Sequence, residues 1–197
     1  MSDVRTLVTA DAEKAVAMLA RAFETDPFVK WFVRGDARHA EGMRTFFEIA
    51  LHDLTLPFGE CFVTGGVEGA ALWNPPGTWN LGLLDKLRLM PKFSRAAGAG
   101  RLISVFLKTN PLTAAHPREP HWYLFVLGVD PASQGRGLGR ALVAPVLARC
   151  DRDGVPAYLE TSKEENLGFY TSLGFAVVGE HRIPDGPPVW FLRRPPA

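Results

Sequence analysis

The sequence lacks the features of several specialised protein classes. It has only two cysteines in 197 residues, Cys61 and Cys150, and neither stands in a metal-ligand spacing. A disulfide framework is therefore excluded, and we expect no metal site. The chain has no run of about 18 consecutive apolar residues, which a membrane span needs, and no secretory signal pattern at its start. We therefore expect a cytoplasmic protein that does not act on a membrane.

The chain also lacks an excess of charge of either sign. It contains 22 Lys and Arg against 21 Asp and Glu, for a formal net charge of +1. Nucleic-acid binders carry a marked basic excess, so we expect no nucleic-acid partner. The hydrophobic content of 47% is enough for one buried core, and since no linker or repeat interrupts the chain we predict a single domain over 1–197.

The hydrophobic pattern predicts alternating strands and helices in the second half. The run "WYLFVLGV" at 122–129 is apolar on both faces, which is typical of a central strand. The remaining predicted elements there are a helix at 137–152, a strand at 157–161, a helix at 166–172, and strands at 175–182 and 189–193. This order predicts an α/β or α+β domain with a partly parallel sheet.

The first half is predicted to be more helical. A helix starts near Ala12 and stops before Pro27, because the residue before a proline disfavours helical backbone. The other predicted elements are a strand at 4–8, a helix at 43–54, a hairpin at 60–73, helical segments within 80–109 and a loop at 110–121. Pro145 lies inside the predicted 137–152 helix and is expected to kink it.

A glycine-rich turn, "VDPASQGRGLGRAL", follows the predicted central strand at 129–142. The dinucleotide fingerprint fails, because its third glycine position falls on Arg140, and no Gly-Lys pair exists for a P-loop. The pattern Q/R-x-x-G-x-G/A does fit, with Gln134, Gly137 and Gly139.

The physical chemistry of this turn indicates an anion site. A helix N-terminus offers unpaired N–H groups and a partial positive charge. The missing side chains of Gly135, Gly137 and Gly139 let a diphosphate approach the backbone, and Arg136 and Arg140 add charge-assisted contacts. The alternative is a glycine turn that serves only tight packing between helix and strand.

Two further features accompany the turn. Gly128 lies inside the predicted central strand, where a lone glycine indicates a bulge or a close backbone approach. Asn166 and Tyr170 are four residues apart, so they share one face of the predicted helix.

Together these motifs resemble the GNAT superfamily of acyl-CoA-dependent N-acyltransferases, and within it the group of puromycin N-acetyltransferase. The segments that carry the likeness are "PREPHWYL", "LGVDPASQGRGLG", "GVPAYLETS", "NLGFYTSLGF" and "PDGPPVW", with weaker support from "RAFETDPF" and "GAALWNPPG". The resemblance implies an α+β fold whose mixed, mostly antiparallel sheet is flanked by helices. Its two central parallel strands, 122–129 and 157–161, splay apart. The region 120–175 is then the acetyl-CoA core, and the first half forms the acceptor side.

The resemblance also implies which residues hold acetyl-CoA. The backbone of 127–129 pairs with the pantetheine arm, the 134–140 turn holds the diphosphate, and Asn166 contacts the pantetheine. The implied cofactor-binding residues are Leu127, Gly128, Val129, Gln134, Gly135, Arg136, Gly137, Leu138, Gly139, Arg140, Asn166 and Tyr170.

The implied catalytic residues are Tyr170 and Glu160. Tyr170 matches the general acid that protonates the departing thiolate. Glu160 is the first candidate for the base, although it also fits a capping or substrate-orienting role. His116 and His121 precede the central strand, where they either reach the cleft or serve only as loop residues.

The acceptor side is less well defined by the sequence. The polar and aromatic residues near predicted element ends, where pockets often form, are Asp26, Phe28, Trp31, Trp73 and Trp79. Of these, Asp26, Phe28 and Trp73 are the predicted substrate contacts. Asp26 either holds an ammonium group or simply stops a helix, and Trp73 is either pocket wall or core.

The resulting functional hypothesis is acetyl transfer from acetyl-CoA to the primary amine of a small molecule, such as an antibiotic or an aminonucleoside-like compound. Acetylation of a protein or peptide amine is one alternative, and a non-catalytic acyl-CoA sensor is another. Either a monomer or a homodimer fits the sequence.

Overall fold

The computed structural model describes residues 3–197 and builds them around one seven-stranded sheet. In chain order the strands are β1 Val4–Thr6, β2 Cys61–Thr64, β3 Gly69–Asn74, β4 Trp122–Val129, β5 Ala157–Thr161, β6 Ala176–Arg182 and β7 Pro188–Arg194. Their spatial order is β1-β2-β3-β4-β5-β7-β6. The β4–β5 pair is parallel and the other neighbours are antiparallel, as predicted.

Within residues 3–197, seven α-helices cover the two faces of this sheet. They are α1 Ala12–Ala22, α2 Pro27–Phe32, α3 His39–Glu48, α4 Leu83–Ala97, α5 Leu102–Ala115, α6 Leu138–Asp153 and α7 Asn166–Thr171. A π-helical turn, Ile49–Asp53, extends α3, and short 3-10 turns occupy Thr9–Asp11, Leu56–Phe58 and Pro131–Ser133. Across 3–197, no helix combines the length and the apolar character that crossing a membrane requires.

The core is divided by the sheet. Alternate residues of a strand point to opposite faces, so Ala70 and Leu72 of β3 pack with α1 and α3, whereas Ala71 and Trp73 pack with α6. A smaller cluster around Tyr123 and Tyr158 lies beside the C-terminal end of α5.

The two parallel strands separate after a short paired stretch. Their register runs from Trp122 opposite Ala157 to Leu124 opposite Leu159 and then stops, although β4 continues to Val129. The last five residues of β4 therefore lack a partner strand on the β5 side, and a gap opens between the two strands. This is the splayed arrangement that the family resemblance implies.

A β-bulge lies at Phe125, at the start of this gap. On β3, Leu72 pairs with Val126 and Trp73 pairs with Leu124, so Phe125 is an extra residue in β4. Bulges re-aim side chains and bend strands next to functional sites. Here Phe125 lines the same cavity as Val126, beside the gap.

Gly128 allows close packing against a helix and does not form a bulge. A Cβ at this position would lie 2.6 Å from Leu19 Cδ2 and 3.0 Å from the Phe23 ring. Of the two predicted reasons for this glycine, close approach is therefore correct, and the approaching element is α1.

The structure corrects two predicted boundaries. Asp26 and Pro27 start helix α2, which was not predicted from the sequence. Asp26 is its N-cap residue, and the Asp26 carboxylate accepts a hydrogen bond from the Val29 N–H at 3.0 Å. Pro27 occupies the first turn, where a proline is favourable. The predicted 110–121 loop is wrong in its first half, because α5 continues through Pro111 to Ala115. Helix α6 likewise continues through Pro145 to Asp153.

Candidate active site

Three adjacent cavities follow the gap between β4 and β5. The turn cleft, about 600 Å³, lies between the end of β4, the glycine turn and α7. The central cavity, about 120 Å³, lies between the splayed strands and α2, and it shares Leu127, Asn166 and Tyr170 with the turn cleft. The aromatic cavity, about 540 Å³, lies against α4 and α5 and shares Tyr123 and Glu160 with the central cavity. The three cavities thus lead from the glycine turn to α5.

The glycine turn needs two of its glycines for conformation and one for packing. Gly135 and Gly137 have φ of +75° and +76°, and a Cβ at either would meet nothing within 4 Å. Only glycine adopts this left-handed backbone readily. A Cβ at Gly139 would lie 3.3 Å from the Phe169 ring. Gly139 therefore serves close packing between α6 and α7, whereas the backbone at Gly135 and Gly137 leaves open space at the turn.

The open positions suit an anion at the start of α6. Gly137 is the N-cap residue of this 16-residue helix, so the first N–H groups of α6 lie in the turn. Arg136 is exposed, and its nearest polar partner is Ser133 Oγ at 3.5 Å. Arg140 donates a hydrogen bond to Ser172 Oγ at 2.7 Å. This bond connects the turn to the C-terminal end of α7. A diphosphate fits a cradle of this kind.

The free edge of β4 presents backbone groups to the gap. The Asp130 N–H bonds to the Glu68 carbonyl on the β3 side at 2.7 Å. Because alternate residues of a strand direct their backbone groups to opposite edges, those of Val129 and Leu127 point toward β5. The Gln134 amide donates to the Val129 carbonyl at 3.2 Å, which places this side chain against the same edge.

Asn166 and Tyr170 lie on one face of α7, as predicted, and both line the turn cleft and the central cavity. Asn166 Nδ2 donates to Thr161 Oγ1 at 3.3 Å, at the end of β5. Burial, and after it the nearby Asp26 carboxylate, raise the pKa of Tyr170 above its ordinary value. The phenol is therefore protonated at neutral pH and able to donate a proton.

Asp26 joins α2 to the end of β5. Ser162 Oγ donates to the Asp26 carboxylate at 3.1 Å and accepts from the Phe28 N–H, also at 3.1 Å. Burial raises the pKa of Asp26, and the bonds from Val29 and Ser162 partly offset this shift. Asp26 and Phe28 both line the central cavity, so helix capping and cavity lining coexist at Asp26.

Glu160 lies on the wall between the central and aromatic cavities. Two phenols hold its carboxylate: Tyr123 donates to Oε2 and Tyr158 donates to Oε1, each at 3.2 Å. Burial raises the pKa of Glu160 to about 7, although both hydrogen bonds act in the opposite direction. A carboxylate with this pKa changes its protonation near neutral pH, and a pKa close to the operating pH is the most favourable one for a general base.

His116 lies next to Glu160, whereas His121 does not line the central or the aromatic cavity. His116 follows directly after α5; its Nε2 is 3.7 Å from Glu160 Oε1, and its ring stacks on Trp79 at 3.8 Å. Burial, and after it His121, lower the pKa of His116 to about 3, so it is neutral at pH 7. His121 Nδ1 lies 2.8 Å from the Glu119 carbonyl. Of the two, His116 reaches the cavities.

Trp73 is not a substrate contact, and that prediction is wrong. Its side chain is 0% exposed and packs with Trp122 and Leu142 in the core between the sheet and α6. Position 73 faces the side of the sheet opposite to Glu160. Trp79, five residues after β3, lines the aromatic cavity instead.

The two phenols that hold Glu160 were not predicted from the sequence. Tyr123 and Tyr158 stand opposite each other in the parallel pair, and Glu160 is two residues after Tyr158 on the same face. The period-two spacing of 158 and 160 was the available signal.

Among residues 3–197, no group of three metal-ligating side chains is arranged around one point.

A mixed sheet with one splayed parallel pair, and a glycine turn beside the split, is the architecture of an acyl-CoA-dependent transferase. The acetyltransferase (GNAT) family model matches residues 88–175. The uncharacterized N-acetyltransferase C550.08 of Schizosaccharomyces pombe is 30% identical over 175 residues, which cover 84% of this chain and 70% of that protein. The crystal structure of histone acetyltransferase HPA2 and related acetyltransferase from Corynebacterium glutamicum superimposes with a TM-score of 0.75 at 28% identity, over 100% of this chain and 98% of the other.

The mycothiol acetyltransferase of Thermomonospora curvata is similar over a shorter region. It is 36% identical over 119 residues, which are 55% of this chain and 38% of that protein. The Schizosaccharomyces pombe protein gives the stronger evidence for the family, because the identity extends over most of both chains. This chain belongs to the GNAT family of acetyltransferases, and the family uses acetyl-CoA as the acetyl donor.

Proposed function

We propose that the protein transfers the acetyl group of acetyl-CoA to the primary amine of a small molecule. The observation that carries this proposal is the small central cavity of about 120 Å³, which lies between the turn cleft and the carboxylate of Glu160. A cavity of this size accepts the end of a small amine. The Schizosaccharomyces pombe relative is named an N-acetyltransferase, which supports nitrogen as the acceptor atom.

The glycine turn and the free edge of β4 hold the donor in this proposal. The N–H groups at the start of α6 bind the diphosphate, with Arg136 as an additional charge. The backbone of Leu127 and Val129 aligns the pantetheine arm, and Asn166 contacts it. Bound acetyl-CoA supplies an activated thioester, which a neutral amine attacks.

Glu160 accepts the proton that the amine must lose. An alkylammonium ion has a pKa of about 10, so it does not attack until it is deprotonated. With a pKa of about 7, Glu160 is partly ionised near neutral pH, and its ionised form takes this proton directly or through a water molecule. Tyr170, whose phenol is protonated, donates a proton to the departing thiolate.

Asp26 and Phe28 complete the acceptor side. The buried Asp26 carboxylate attracts the incoming ammonium group, and the Phe28 ring covers its apolar stem. Holding the amine next to the thioester itself supplies a large part of the rate enhancement.

The direct test is release of free thiol from acetyl-CoA in the presence of a panel of amines. The panel contains small alkyl and aryl amines, puromycin, an amino-acid amide and short peptides with free N-termini. Turnover with small amines and not with the peptides supports the proposal. Turnover with the peptides alone would contradict the small-molecule acceptor, and CoA binding without any turnover would indicate a sensor.

A further inference from the structure

The aromatic cavity differs from the central cavity in both size and lining. Its volume is about 540 Å³, within the range of small-molecule sites. Apolar and aromatic side chains from α4, α5, β4 and the loop before α4 dominate its wall, and they include Trp79, Phe93, Phe106, Leu107, Tyr123 and Phe125.

The charges on this wall are few and unequally placed. Among the residues that the structure describes, Glu160 and Lys86 are the charged side chains that line the cavity. Glu160 stands at the end shared with the central cavity, where its carboxylate attracts one ammonium group. A second cationic group further out would meet apolar side chains and the Lys86 ammonium, without a carboxylate partner. The wall therefore disfavours diamines and polyamines.

We propose that the acceptor is a monoamine with an apolar, aromatic body, and that this body occupies the aromatic cavity while the amine lies at Glu160. This inference rests on the proposed function and adds the substrate class. The Trp79 ring, stacked on His116 at 3.8 Å, gives one wall a flat aromatic surface. Aromatic rings bury a large area and gain further from ring contacts.

Helix α5 offers a matched pair of positions for a test. Leu107 and Ile103 are 70% and 73% exposed and stand one turn apart on this helix. Leu107 is part of the aromatic cavity wall, whereas Ile103 lies outside that wall. Because both side chains are mostly in solvent, we expect glutamate to be tolerated at either position. L107E places a carboxylate on the cavity wall, and I103E adds the same charge outside it.

The experiment measures kcat/KM for 2-phenylethylamine and for putrescine, with acetyl-CoA as the donor. In the wild type we expect 2-phenylethylamine to be preferred by about tenfold or more, since burying one aromatic group contributes roughly that much. L107E is expected to reduce the preference about tenfold, and I103E is expected to leave it unchanged.

Two results would overturn the inference. If the wild type prefers putrescine, or if L107E and I103E change the ratio equally, the aromatic cavity does not select the acceptor, while the proposed acetyltransferase function remains. If neither these nor any other amine is acetylated by protein that binds CoA, the proposed function fails and the substrate class fails with it.

Discussion

The Tyr123 hydroxyl donates a hydrogen bond to Glu160 across the two parallel strands, over 3.2 Å. Tyr158, which stands opposite Tyr123 in the sheet, holds the other carboxylate oxygen at the same distance. Glu160 follows directly after Leu159, the last β5 residue that pairs with β4. The carboxylate is therefore fixed where the strands begin to separate, at the junction of the central and aromatic cavities.

Replacing Glu160 by glutamine is expected to lower kcat/KM by about 10²- to 10⁴-fold, the usual contribution of a general base. Because only the ionised carboxylate accepts a proton, wild-type kcat/KM should rise with pH through the Glu160 pKa of about 7. E160Q should lose this rise. The measurement is kcat/KM against pH on an accepted amine, with the exposed Glu164→Gln as a control that keeps the wild-type profile. A wild-type profile in E160Q would remove Glu160 as the base.

The same substitution is expected to change how stability depends on pH. The pKa of Glu160 is raised from its ordinary 4.5 to about 7 by folding, so between these values the folded state binds more protons than the unfolded state. Folding stability then falls as pH rises from about 4.5 to 7 and stays reduced above that. E160Q should lack this fall, which is on the order of 2 kcal/mol between pH 5 and 8. Urea unfolding of both proteins at pH 5 and at pH 8 measures this difference in stability. Identical pH dependence of stability in the wild type and E160Q would refute the raised pKa of Glu160.

Replacing Tyr170 by phenylalanine is expected to lower kcat about 10²-fold or more, because the departing thiolate loses its proton donor. The phenyl ring still fills its site beside Phe175, so the unfolding midpoint and the affinity for CoA should stay near wild type. Steady-state kinetics, thermal unfolding and calorimetry give the three readouts. Full activity in Y170F would assign the acid to another group.

Much of the structure on the proposed donor side could be predicted from the sequence, because its signals are local. The apolar run of β4, the glycine turn and the Asn166–Tyr170 spacing each lie within one short segment. They predict a strand, a helix start and a shared helix face, and the structure has all three.

The acceptor side could not be predicted to the same extent, because it depends on distant residues. Trp73 lies on a strand that is buried on both faces, so no alternation of polar and apolar residues shows which way it points. The Asp26-Pro27 signal fits both the end of one helix and the start of the next. The pKa of Glu160 is raised by burial and lowered by hydrogen bonds, one of which comes from Tyr123, 37 positions earlier in the chain.

The most direct test of the central claim, that the N–H groups of the glycine turn hold the diphosphate of CoA, is calorimetric titration of CoA into G137A and G154A. These glycines flank the same helix with φ of +76° and +67°, and a Cβ at either meets nothing within 4 Å. Both variants should lose about 1 kcal/mol of stability from the left-handed backbone. We expect G137A to weaken CoA binding by about tenfold or more, because its Cβ stands where the diphosphate must approach, and G154A to bind like the wild type. Equal CoA affinity in G137A and the wild type would contradict the claim.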